Sequence, residues 1–218
     1  QQRYGFEAGA SERKWERFDP RFDLAQSPNE ANRFGYVVEI DPWDPNSTPI
    51  KDSALGRFKH ESANVYVTKA GTVVAYSGDD ERFDYIYKFV SLRKIQRGND
   101  ATAMRHNLTI LDAGTLYVAK LSGDAPARAT DGFNGTGEWI KLLTTGEDGK
   151  AQSHVDGMAA DEVAVFTRLA GDKVGATKMD RPEDIEANPK TGRVYVMLTN
   201  NVRRAPSEPG GSSPPRSD

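Results

Sequence analysis

Cysteine is absent from this 218-residue sequence. Its absence excludes a disulfide framework and thiolate zinc sites, but it is compatible with both cytosolic and exported proteins. No apolar run approaches the roughly 20 residues that a membrane helix needs, so no membrane span is expected. The sequence begins without a methionine, a basic segment or an apolar segment, and we expect any targeting signal to lie outside it.

Basic and acidic residues occur along the whole chain in nearly equal numbers. The 29 basic and 32 acidic residues give a formal net charge of -3, and no basic stripe points to a nucleic-acid partner. The length suits one sizeable domain. We predict a single domain over residues 1–202 and a disordered tail, rich in proline, glycine and serine, over residues 203–218.

Short β-branched and aromatic runs recur between turn residues and predict a series of strands. They comprise a hairpin over 64–77, a strand over 83–90, a strand pair over 114–121 and 137–143, and strands over 36–40 and 192–199. Residues 158–169 alone have a helical pattern, with Gly171 expected just past the end. The pattern favours an all-β, mainly antiparallel fold, interpreted as a partial β-propeller with four-stranded blades, one short helix and long loops.

Two acidic clusters adjoin the predicted hairpin. His60 and Glu61 could offer an imidazole nitrogen and a carboxylate oxygen to a metal ion. Asp79 and Asp80 begin a run of acids directly after a strand, and hard cations such as calcium favour oxygen ligands supplied this densely. A solvated charge cluster and a plain acidic turn are the alternative interpretations.

A third acidic cluster covers residues 180–186. Pro182 fixes the backbone between Arg181 and Glu183 and so sets their relative position. An arginine can bind phosphate oxygens in a bidentate manner, and a glutamate can bridge cations. The alternative is the acidic first turn of a helix, with Pro182 near its start. The residues themselves leave both interpretations open.

Four segments, taken in order, resemble consecutive motifs of the PhoX alkaline phosphatases. They are NRFGYVVEIDP at 32–42, LGRFKHE at 55–61, YSGDDERF at 76–83 and KMDRPEDIE at 178–186. The resemblance runs from about residue 32 to 201. The combination is far more specific than any one segment.

The resemblance implies a bacterial β-propeller phosphatase, periplasmic or secreted and a monomer when full length, that hydrolyses small phosphate esters. Calcium and iron ions would lie in the propeller channel. Carried over by motif, Arg181 and Glu183 would be the catalytic residues, with Arg181 binding phosphate. Glu61 and Glu183 would be metal-bridging carboxylates, and Asp79 and Asp80 would be calcium ligands.

The sequence departs from the family pattern in one respect. The family's iron site also uses a cysteine and acidic residues from an earlier segment, and neither is found here. We therefore expect this chain to be a fragment with an incomplete metal cluster, inactive by itself. The alternatives are a non-catalytic, calcium-stabilised propeller that serves as a binding module, or another propeller hydrolase of the phytase-like or lactonase-like kind.

Overall fold

A computed structural model describes residues 2–7, 11–123 and 135–203. Its strands are β1 (Val38–Glu39), β2 (Ile50–Lys51), β3 (Asn64–Val67), β4 (Thr72–Gly78), β5 (Ile86–Lys94), β6 (Gly114–Ser122), β7 (Thr136–Thr145), β8 (Ala151–Ser153), β9 (Pro182–Ala187) and β10 (Val194–Leu198). The α-helices are α1 (Ala101–Asn107), α2 (Ala160–Val165) and α3 (Thr167–Lys173). Short 3-10 helices occur at Gln2–Tyr4, Trp15–Arg17, Pro20–Phe22, Glu30–Arg33 and Ser53–Leu55.

The main sheet is an antiparallel meander in the order β3-β4-β5-β6-β7-β8. Two separate ribbons, β1–β2 and β9–β10, complete the strand pairing among the described residues. The all-β, mainly antiparallel prediction is confirmed, and the sheets form an open part of a propeller. The expected four-stranded blade is wrong here, because the meander continues to six strands. Of the predicted tail, only Arg203 lies within the described residues.

The prediction of one helix is also wrong. Residues 158–169 contain α2 and the start of α3, and α1 precedes them. Gly171 lies within α3 rather than after a helix end. A glycine is needed there because the helix packs closely on Tyr85, and a Cβ at Gly171 would lie 2.7 Å from that ring. No helix in the described ranges has the length and apolar character needed to span a membrane.

The largest core cluster lies between one face of the main sheet and the α2–α3 pair. Strand residues with alternating burial, such as Leu116 and Val118 of β6, pack there with Val163 and Ala170 of the helices. Phe58 stacks on Tyr87 with ring centroids 4.1 Å apart. The core therefore fixes the 55–61 motif, which contains Phe58 and ends at Glu61, against the sheet.

The end of β4 makes an unusually close contact with the start of β9. A Cβ at Gly78 would lie 2.2 Å from the Pro182 carbonyl oxygen and 2.4 Å from that of Glu183. Gly78→Ala should therefore push β9 away and lower the free energy of unfolding by about 2 to 3 kcal/mol, measured by urea denaturation.

The control for that substitution is Gly149→Ala. Gly149 has φ 74°, but a Cβ there would meet nothing within 4 Å. It should cost only the left-handed backbone strain of about 1 to 2 kcal/mol. A smaller loss for Gly78→Ala than for Gly149→Ala would contradict the close contact.

Candidate functional site

The three acidic clusters meet where β4 ends and β9 begins. The Glu61 N–H donates to the Gly78 carbonyl at 3.1 Å, and the Asp80 N–H donates to the Lys59 carbonyl at 3.1 Å. Isolated bridges join His60 to Asp79 and Arg82 to Asp180. The backbone thus brings residues 59–61, 78–82 and 180–183 side by side, although they are far apart in the sequence.

Arg181 lies at the centre of this junction. Its Nε donates to Asp80 Oδ1 at 3.0 Å and its Nη2 donates to Asp80 Oδ2 at 3.1 Å. Nη2 is also 3.3 Å from Glu183 Oε1, which accepts a hydrogen bond from Thr199 Oγ1 at 2.9 Å. Three of the predicted residues, Arg181, Asp80 and Glu183, are therefore in direct contact.

The backbone of Arg181 is strained. Its φ of 50° lies in the left-handed region, which residues other than glycine rarely adopt. The proline that follows restricts the backbone of Arg181 further. Such strain is found at ligand-binding and catalytic positions. About a third of the Arg181 side chain is exposed, with 23% of Asp80 and 26% of Glu183. The guanidinium is therefore accessible to a ligand from solvent.

Asp79 faces away from Asp80, into the protein. It is fully buried, and its two carboxylate oxygens accept hydrogen bonds from Arg168 Nε and Nη2 at 2.7 and 2.6 Å. Burial raises the pKa of the Asp79 carboxyl, whereas the bidentate ion pair with Arg168 favours its charged form. The predicted pair of calcium ligands is thus divided, and the contacts of Asp79 do not match a ligand role.

Arg168 belongs to a buried ionic network that sequence reasoning missed. Its Nε is 3.6 Å from Asp84, which also accepts from Arg3 at 2.5 Å. Arg3 also pairs with Asp172 of α3. The Arg168 guanidinium lies over the Tyr4 ring, with its Cζ 5.0 Å from the ring centroid. The network therefore anchors the turn that carries Asp80 to the protein interior.

Glu61 and His60 have opposite environments. The Glu61 side chain is exposed and accepts no hydrogen bond from the described part of the chain. His60 stacks on Phe58, and its Nδ1 and Nε2 lie 2.8 Å from Ser77 Oγ and 3.2 Å from the Gly56 carbonyl. Burial lowers the pKa of His60 to about 4. Both ring nitrogens of His60 thus have internal partners, and its role as a metal ligand stays a prediction.

A polar cavity of about 290 Å³ lies beside the junction. It is lined by Arg3, Arg82, Phe83, Asp172 and Lys178. The Arg82 Nε is buried without a hydrogen-bond partner among the described residues. Positive charge therefore exceeds negative charge on this side of the 178–186 segment.

The carboxylates of the junction do not form a ready-made metal centre. Within residues 2–7, 11–123 and 135–203, no group of three or more His, Cys, Asp or Glu side chains is gathered to hold a metal ion. The carboxylates at the junction that reach solvent are those of Glu61, Asp80 and Glu183, and both oxygens of Asp80 already accept from Arg181. These donor atoms are all oxygen, which suits a hard cation such as calcium.

Comparison with known proteins was made on sequence and on structure. The family described as Alkaline phosphatase PhoX matches residues 1–218. A solved structure of Pseudomonas fluorescens PhoX in complex with vanadate, a transition state analogue, is similar with a TM-score of 0.78 and 51% sequence identity. The match covers 94% of this chain and 34% of that chain, so the chain spans about a third of the length of this relative. A search of curated proteins finds no match. The chain therefore belongs to the PhoX family of alkaline phosphatases, as the four ordered motifs predicted.

Proposed function

We propose that this protein hydrolyses phosphate monoesters with Arg181 as its phosphate-binding residue and Glu183 as a catalytic, metal-binding carboxylate. The observation that carries the proposal is the accessible Arg181 guanidinium, held on a strained backbone between Asp80 and Glu183. The vanadate complex of the similar Pseudomonas fluorescens PhoX supports phosphoryl chemistry, because vanadate mimics the transition state there.

Asp80 prepares Arg181 for this role. It occupies Nε and Nη2 of the guanidinium, and among the described residues no partner occupies Nη1. The side chain is thereby fixed in one orientation with a donor edge left for phosphate oxygens. Prior positioning of this kind lets a guanidinium stabilise charge that develops on the equatorial oxygens without reorganising during the reaction.

Calcium and iron are the proposed metal cofactors, as the family resemblance implies. Glu61, Asp80 and Glu183 offer oxygen donors suited to calcium, while iron would take further ligands beyond this junction. Calcium bound there would supply positive charge to the phosphate oxygens. We propose that Asp79, although expected as a calcium ligand, anchors the turn through Arg168 instead. Export to the periplasm or beyond and a monomeric state when full length complete the proposal.

Substitution of the two glutamates tests the metal-binding part of this proposal. Glu183→Gln and Glu61→Gln keep the side-chain shape but remove the negative charge. In the protein as its gene encodes it, each should lower hydrolysis of a chromogenic phosphate monoester by about 100-fold, with a parallel loss of bound metal by elemental analysis. Inorganic vanadate should inhibit the unsubstituted enzyme.

Glu186→Gln is the matched control for Glu183→Gln. Glu186 lies on the same strand, is exposed, and contacts Asn64 rather than Arg181. Its activity and metal content should be unchanged. Calcium-dependent melting of the unsubstituted protein without any hydrolysis would contradict the proposed function and favour the non-catalytic binding module. Hydrolysis of phytate or lactones instead would favour another propeller hydrolase.

A further inference from the structure

A second group of carboxylates lies on the β1–β2 ribbon. The Asp52 N–H donates to the Val37 carbonyl at 3.0 Å, which extends the ribbon register in which Glu39 lies opposite Ile50. Asp52 is therefore opposite Val37 and on the same face of the ribbon as Glu39, two residues further along the strand. Diagonal neighbours of this kind are close enough for their side chains to interact.

Asp52 is buried and Glu39 is half-buried, and three of their four carboxylate oxygens are buried without a hydrogen-bond partner among the described residues. Asp52 is only 1% exposed, and neither of its carboxylate oxygens has a hydrogen-bond partner among the described residues. Glu39 Oε2 is likewise buried and without a partner in that part of the chain. A buried charge without a partner is among the most unfavourable groups a fold can contain. Such a pair requires a cation or a proton.

No side chain in the described ranges supplies the missing positive charge. Lys51, next to Asp52 in the sequence, donates its Nζ to the Arg33 carbonyl at 2.7 Å and lies over the Tyr36 ring. Asp112 adds a third negative charge nearby. Burial, followed by the charges of Glu39 and Asp112, raises the pKa of Asp52 to about 7. Asp52 differs in this respect from Asp79, which is also buried but forms an ion pair with Arg168.

We propose that Glu39 and Asp52 bind one calcium ion, with Asp112 adding negative charge from the exposed side. A hard divalent cation matches donors that are all oxygen, and calcium accepts irregular coordination completed by water or backbone carbonyls. Two carboxylates hold the ion, so the site needs no gathered group of three. It lies on a different part of the chain from Glu61, Asp80 and Glu183.

The site would have a structural role. Asp52 directly precedes the 3-10 helix Ser53–Leu55, and the Asp52 carbonyl accepts from the Leu55 N–H at 3.1 Å. That helix leads into the segment that carries Arg57 to Glu61. A calcium ion on Asp52 would stabilise the start of this segment without touching substrate.

Calcium counting tests the inference. The protein as its gene encodes it is dialysed against micromolar free calcium and its bound calcium is measured by elemental analysis. Asp52→Asn and Glu39→Gln should each retain one calcium ion fewer per chain than the unsubstituted protein. Asp44→Asn, at an exposed aspartate on the connection between β1 and β2, is the control and should retain all of them.

Melting and hydrolysis measurements add to the calcium count. Melting measured with calcium and magnesium should show a calcium-dependent increase in Tm that is reduced in Asp52→Asn, with hydrolysis preserved at saturating calcium. That result would hold even if Glu183→Gln left hydrolysis unchanged and so contradicted the proposed function. If Asp52→Asn does not fold, Glu39→Gln gives the same count.

An unchanged calcium count in both variants would overturn the inference, and Asp52 would then be only a titrating carboxyl. In that case the raised pKa makes the folded chain hold a proton that the unfolded chain has lost. Stability would fall as the pH rises from about 4 to about 7, to the same extent with and without calcium.

Discussion

Arg168→Met is expected to lower the free energy of unfolding by about 3 to 5 kcal/mol, because it leaves a buried carboxylate without its partner. Asp79 is fully buried and accepts both of its strong hydrogen bonds from Arg168. Methionine fills much of the same volume but supplies no charge. Asp84, 1% exposed, would also lose a nearby cation and retain only Arg3. Urea denaturation followed by circular dichroism measures the loss.

The reason for this effect can be separated from simple loss of packing. In Arg168→Met combined with Asp79→Leu, no buried charge of the pair remains, and much of the lost stability should return. Arg105→Met, at an exposed arginine in α1, is the control and should stay within about 0.5 kcal/mol of the unsubstituted protein. A loss below about 1 kcal/mol for Arg168→Met would show that the ion pair does not stabilise the turn.

The local pattern of the sequence predicted most of the main sheet. Runs of β-branched and aromatic residues between turn residues identified the hairpin that became β3 and β4, and the pair that became β6 and β7. The number of strands in one sheet was not predictable, because it depends on which edges pair over long sequence separations. α1 was missed because seven residues give little periodicity, although Asp100 caps it by accepting from Thr102 and Ala103.

The segment after Arg181 shows where a single sequence is ambiguous. Pro182 followed by acids could begin a helix, but in the structure it begins β9. Pairing of β9 with β10 decides between the two. Proline is tolerated there because it is the first residue of the strand. The helix interpretation is therefore wrong, and the interpretation as a site stays a prediction.

The candidate site was predictable as a set of residues but not as an arrangement. The ordered motifs, through the family resemblance, identified Arg181, Glu183 and Asp80 as candidates. In the structure Asp79 contacts Arg168 and Asp80 contacts Arg181, so the two adjacent carboxylates have separate partners. Which of the two faces inward depends on Arg168, 89 residues away from Asp79, and that contact has no signature in a single sequence.

Arg181→Ala is expected to lower kcat/KM for a phosphate monoester by about 100- to 1,000-fold, the usual effect of losing one prepositioned donor to developing charge. The partly exposed Asp80 and Glu183 can be solvated after the substitution, so the protein should remain folded. Alanine at position 181 keeps the same left-handed backbone, so the backbone strain does not change. Activity should therefore fall far more than stability does.

Arg181→Lys distinguishes the planar guanidinium from simple positive charge. Lysine keeps the charge but cannot bind Asp80 and a phosphate oxygen through one rigid fork, so activity should recover only in part. Arg193→Ala, at an exposed arginine in the turn between β9 and β10, is the control and should hydrolyse normally. Because Arg181 is proposed to bind phosphate and to stabilise the transition state, kcat should fall more than KM rises, and inhibition by inorganic phosphate should also weaken. Normal turnover by Arg181→Ala, or a loss confined to KM, would remove Arg181 from the proposed catalytic role and leave it as the partner that positions Asp80.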